Sequence, residues 1–83
     1  MEPTTIYNNL NEKHSEFLMD ETMDLVIDHD VSTENKEIAE KLVDKVKPEI
    51  NFEEMCFTEE EFDQNKAEVA SIFAEMLLEM NEF

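Results

Sequence analysis

Residues 57–62 read FTEEEF, and this short stretch decides the fold class. Thr58 followed three residues later by Glu61 has the spacing of a capping box, in which each side chain satisfies the other residue's exposed helix-start N–H. Phe57 and Phe62 stand at the two positions of a hydrophobic staple, just before the cap and on the next turn. Glu59, Glu60 and Glu61 fall in the first turn, where the helix dipole favours negative charge. The pattern predicts a helix from Thr58 towards the end of the chain, with Phe62, Val69, Ile72, Phe73, Met76, Leu77 and Met80 on its apolar face. Leu78 and Phe83 widen that face beyond one stripe. Such a helix is expected to be central, or to form a homodimer seam around Leu77, Leu78 and Phe83.

The rest of the chain reads the same way. There is no glycine in 83 residues, and hairpin turns and bulges lean heavily on glycine. A first helical region is expected from about Thr4 to Ile27. Ile6, Tyr7, Leu10 and Phe17 share one face of it. Leu18, Met19, Met23, Leu25 and Val26 share another, about a third of a turn away. One straight helix cannot bury both faces against one partner, so a break is expected near Lys13 to Ser15, with Ser15 as N-cap. A further helix carries Ile38, Ala39, Leu42, Val43 and Val46. Ser32 or Thr33 is expected to cap it, and Pro48 to close it, because the residue before proline avoids the α region. The connector PEINFEEMCF suits a short helical turn capped by Asn51. The expected architecture is all-α, a small bundle of three to four helices in one domain over residues 1–83. One short irregular or extended segment is allowed at 23–31 or 49–57. Cys56, between apolar neighbours, is expected to be a buried thiol.

Composition narrows the function. The net charge is −17, from 23 acidic residues against six lysines, and arginine is absent. That balance repels nucleic acid and anionic membranes and favours basic partners. Hydrophobic residues make up 41% of the chain, which favours a folded domain over a disordered acidic segment. No apolar run has membrane-spanning length, and MEPTTIYNN lacks the regions of a signal peptide, so the expected location is the cytoplasm, or a host's cytoplasm for a viral protein. Two histidines, His14 and His29, make no zinc pattern, and no metal or cofactor is expected. No nucleophile–base pair or phosphate loop suggests an enzyme.

The charge is uneven. Residues 36–47 hold four lysines and three acids, whereas the remainder holds two lysines and twenty acids. Glu37 and Lys41 have the favourable four-residue order for a helical ion pair. By contrast Glu12, Glu16, Asp20, Asp24 and Asp28 recur every four residues without interruption, and no lysine lies between Glu16 and Asp28. Each neighbouring like-charge pair costs about 0.2–0.5 kcal/mol, so the ladder costs on the order of 1–2 kcal/mol. The candidate partner-binding residues are Glu16, Asp20, Asp24 and Asp28, with Asp30, and a second cluster of Glu53, Glu54, Glu59, Glu60 and Asp63. A row of carboxylates at this spacing stands in for a row of nucleic-acid phosphates.

Three acidic helical families fail on their motifs. No serine lies in the Asp-Ser-Leu-like attachment site of acyl carrier proteins. DHDVSTENKEIA supplies Asp28 and Asp30 of a calcium loop, then places Thr33 and Ala39 where glycine and glutamate belong. The His-Pro and Tyr-Tyr signature of colicin-type immunity proteins is missing. In size, charge and acidic ladder the chain resembles the small DNA-mimic inhibitors made by phages and mobile elements. These block nucleoid proteins, uracil-DNA glycosylase, restriction enzymes, CRISPR effectors or RNA polymerase. The resemblance implies a basic nucleic-acid-binding protein as partner and no direct contact with nucleic acid. The alternative is a helical interaction module (an immunity protein, adaptor or antitoxin) that binds through an apolar helix face.

Overall fold

The computed structural model describes residues 2–81, apart from the side chains of Ser32, Met80 and Asn81. The roles expected of Ser32 as a cap and of Met80 and Phe83 on the apolar face lie outside this description. Five helices follow in order: α1 (Pro3–Lys13), α2 (Ser15–Asp28), α3 (Val31–Val46), α4 (Glu59–Gln64) and α5 (Lys66–Asn81). Short 3₁₀ turns occupy Lys47–Glu49 and Phe52–Glu54, and no strand occurs among the described residues. The molecule is an all-α bundle.

Helix α1 starts with proline in its first turn, where a missing N–H costs nothing. It buries Ile6 and Leu10, one turn apart on one face. The expected break falls at His14, whose N–H donates to the Leu10 carbonyl at 2.8 Å and whose own carbonyl accepts from Leu18 N–H at 2.9 Å. His14 therefore ends one helix and begins the next. Ser15 is the first residue of α2 and not its cap, which corrects the expectation. Helix α2 then continues to Asp28, so DLVIDHDV is helical up to that residue rather than extended.

One further cap and one further break differ from expectation. Helix α3 begins at Val31, and the Asp30 carbonyl receives Thr33 N–H at 3.1 Å and Glu34 N–H at 2.7 Å. Thr33 thus lies inside the first turn. The last helix is also split. Asn65 donates its side-chain amide to the Glu61 carbonyl at 2.8 Å, and its own carbonyl accepts from Val69 N–H at 2.9 Å. Asparagine readily makes such local bonds in competition with the helix ladder. The periodicity through Phe62 and Val69 conceals this break.

The connector follows its sequence signals. Asn51 accepts Glu53 N–H at 3.2 Å, and the Thr58–Glu61 capping box is complete, with both backbone-to-side-chain bonds at 3.1 Å. Phe57 and Phe62 stack at 6.3 Å between centroids, and Phe52 meets each of them edge-on at 6.0 Å. These rings fill the corner, and Cys56 is left exposed, contrary to the expected buried thiol.

Helix α5 is central to the bundle. It packs along α3 and against α1, while α2 lies on α3. Val69, Phe73 and Leu77 meet Ile38, Leu42 and Val46 in one continuous core. Asn35 donates across this seam to the Ala74 carbonyl at 3.2 Å, and Tyr7 meets Phe73 edge-on at 5.0 Å.

Phe62 is fully buried at the junction of α4 with the connector. Phe62→Ala should lower stability by about 3–5 kcal/mol and Thr58→Ala by about 1 kcal/mol. Urea unfolding followed by circular dichroism measures both. A Phe62→Ala loss no larger than that of Thr58→Ala would show that the aromatic corner is dispensable.

Candidate partner-binding surface

The four acids Glu16, Asp20, Asp24 and Asp28 are all exposed on α2. Each is one turn from the next, so they form a slanted row. Glu12 lies on α1, beyond the break at His14, so the helical ladder has four members rather than five. Its three like-charge pairs cost about 0.6–1.5 kcal/mol in total, before screening. None of the four makes an ion pair or side-chain hydrogen bond among the described residues. Asp30 is exposed at the start of α3, past the end of the row.

The second cluster is placed differently. Glu53 and Glu54 lie on a 3₁₀ turn, and Glu59, Glu60 and Asp63 on α4. Helix α2 packs on α3 and α1, whereas α4 packs on α5. The two sets therefore form two patches on different elements. Although residues 49–63 contain no basic residue, the fold brings one to them. Lys47 donates to Asp63 at 2.7 Å and lies 3.7 Å from Glu59. Glu60 accepts from Gln64 at 3.5 Å. Much of this cluster thus has local partners, which sequence reading missed because the lysine belongs to the preceding turn.

Lysines elsewhere follow the same rule. Lys45 reaches Glu21 of α2 at 3.3 Å, Lys41 pairs with Glu37 at 3.4 Å as expected, and Lys66 pairs with Asp44. Lys45 and Lys66 bridge two helices, whereas Lys41 pairs within α3. The row on the outer face of α2 receives none of them.

At the α2–α3 corner, ligand atoms of His29, Glu34 and Glu37 come within 4.8 Å of one another. No spacing rule would have grouped them. His29 Nδ1 lies 2.5 Å from Glu34, and its Nε2 lies 3.4 Å from the Lys41 ammonium. The ring is thus held between a carboxylate on one side and an ammonium on the other. The lysine already supplies the positive charge, and a metal at Nε2 would have to displace it.

Apolar exposure is also concentrated. Met19, Met23 and Ile27 on α2 are 62%, 58% and 79% exposed, so the expected second face of the first region is only partly buried. Leu18 and Leu25 are its core members. On α5, Leu77 is in the core while Met76 and Leu78 are more than a third exposed. An open groove of about 230 Å³ runs between α1, α2 and α5, with Tyr7, Met19, Met23, Phe73 and Met76 among its walls. No charged residue lines it among those described.

No family model matches the chain, and neither a curated protein nor a solved structure does so. Among the described residues, no helix is long and apolar enough to cross a membrane.

Two groups respond to alkali. The Lys47 ammonium is held above its ordinary 10.5, chiefly by its hydrogen bond to Asp63, with the nearby charges of Asp63 and Glu59 adding to it against some desolvation. A raised lysine stabilises the fold fully below 10.5, and that contribution is lost as pH rises through its folded value. The Tyr7 phenol is raised above 10.0, first by burial and then by the charge of Glu79. Above 10.0 the unfolded phenol ionises more readily, which also favours unfolding. Urea midpoints should therefore fall as pH rises past 10.0, and less steeply in Lys47→Gln and Tyr7→Phe. Unchanged slopes in both variants would show that neither group governs the alkaline limit.

Proposed function

We propose that this protein is a non-enzymatic acidic binding protein that occupies the basic nucleic-acid-binding surface of a partner and competes with nucleic acid for it. Its place of action on this reading is the cytoplasm of its own cell or of a host. The observation that carries the proposal is the uncompensated row on α2. The chain places Lys45, Lys47 and Lys66 against acids of neighbouring elements, yet leaves Glu16, Asp20, Asp24 and Asp28 without a cation among the described residues.

Magnitudes support the likeness to phosphates. From Glu16 to Asp28 the helix rises about 18 Å. One strand of DNA carries about five phosphates over that length. Four carboxylates on a rigid helix present a similar linear charge, and no base for a partner to read. Like-charge neighbours lower stability here, so binding by an opposite charge relieves repulsion as well as gaining attraction. On this reading Glu53, Glu54 and Glu60 extend the field from a second patch, whereas Glu59 and Asp63 are partly neutralised by Lys47.

A second reading is an interaction module that binds through an apolar helix face, as a hetero-complex or as a homodimer. The exposure of Met19, Met23 and Ile27 favours it. Salt separates the two. A partner captured from lysate after nuclease treatment should release labelled duplex when the protein is added. Asp20→Lys with Asp24→Lys should weaken that competition at least about tenfold, or 1.4 kcal/mol, and flatten its dependence on salt. Affinity that stays constant from low to high salt, and in the double variant, would overturn mimicry and leave the apolar module.

A further inference from the structure

The groove and the acidic row share helix α2. At 3.6 residues per turn, Met19 and Met23 lie between Thr22, on the groove wall, and Asp20 and Asp24, on the outer face. An uncharged depression bordered by a row of carboxylates is unusual in a chain of net charge −17. Its polar lining is neutral, from Asn11, Ser15 and Thr22. At about 230 Å³ it falls below the range of roughly 300–1,000 Å³ typical of small-molecule pockets, so it suits side chains inserted from a partner. Methionines at 62%, 58% and 38% exposure supply flexible walls that can adjust to an incoming apolar group.

We propose that this groove receives the apolar face of a basic amphipathic helix, whose lysines or arginines then lie against Glu16, Asp20 and Asp24. An extended peptide would need a sheet edge for its backbone, and the described residues contain no strand. A helix satisfies its own backbone and offers anchors one turn apart. Charge excludes the other occupants. A nucleic acid is repelled by the row. A second copy related by a two-fold axis through the groove would bring its own carboxylates towards the first set. A basic helix gains from both surfaces at once. The proposal rests on the reading of the α2 row as a surface for basic partners, and adds the apolar anchor that gives it a register.

The probe is a designed helical peptide with leucines at i, i+3, i+4 and i+7 and lysines on the flanks. Two controls accompany it: a scrambled peptide of the same composition, and the same helix with its lysines replaced by glutamates. Binding is read by calorimetry, by the fluorescence of the single tyrosine, Tyr7, and by the methyl resonances of the methionines. The basic amphipathic helix should shift the signals of Tyr7, Met19, Met23 and Met76 and bind at least about tenfold more tightly than the scrambled peptide. Met23→Asp, a change at an exposed position, should abolish that advantage. Equal binding of the scrambled peptide would overturn the groove and leave the acidic row intact as a charge surface. Equal binding of the glutamate helix, or no effect of Asp20→Lys with Asp24→Lys, would count against both the row and the proposed function. Absence of binding by any peptide would sink the proposal. So would a concentration-dependent dimer that Met23→Asp dissolves, because the groove would then hold a second copy.

Discussion

Helix α5 meets α3 over nearly the whole of its inner face, and the position of every other helix follows from that contact. Val69, Ala70, Phe73, Ala74 and Leu77 supply one side and Ile38, Ala39, Leu42, Val43 and Val46 the other. Alanines at 39, 70 and 74 let the two helices approach, and the bond from Asn35 to the Ala74 carbonyl fixes their register. Helix α1 is then held on α5 through Tyr7 and Phe73. Helix α2 is held on α3 through Leu18 and Leu25, with Lys45 and Glu21 closing its edge. A chain of this size has few other ways to cover its apolar surface.

The charge follows the same geometry. Lys41 and Lys45 project from α3, Lys47 from the turn that follows it, and Lys66 from the start of α5. Lys45, Lys47 and Lys66 lower repulsion between neighbouring elements, and Lys41 does so within α3. At physiological salt the Debye length is about 8 Å, while neighbouring carboxylates of the α2 row are about 5–6 Å apart at their Cβ atoms. The row therefore presents its charge as a unit. The α4 patch has a weaker field, because Lys47 sits among its acids. The two clusters look alike in sequence, and the fold makes them unequal.

Local signals were legible and tertiary ones were not. The capping box, the staple, the Asn51 turn and the break at His14 each depend on residues a few positions apart, and each appears where the sequence places it. Periodicity identified the faces of α2 but not how many neighbours would cover them. It assigned Met19 and Met23 to the same face as Leu18 and Leu25, although only the two leucines are in the core. The Asn65 break escaped notice because the apolar pattern runs through it without a change of phase. Cys56 was misjudged for a related reason: apolar neighbours in sequence do not fix direction in a turn, and the three phenylalanines close the corner without it. Of the candidate surface, the α2 row could be read from its spacing. The groove could not, because its walls come from four helices.

The break at His14 links the two halves of the candidate surface. Along one uninterrupted helix, the face of Ile6 and Leu10 and the face of Leu18 and Leu25 point in different directions, and only one could reach the core. Ending α1 at Lys13 lets each half bury its own face, α1 against α5 and α2 against α3. The two helices then diverge, and the space between them is lined by residues on either side of the hinge, Asn11 and Ser15, together with Tyr7, Met19 and Met23. The same reorientation turns the acids of α2 outward beside that space. A single-residue interruption, required by the phase of the apolar pattern, thus accounts for both the neutral groove and the charged row along its border.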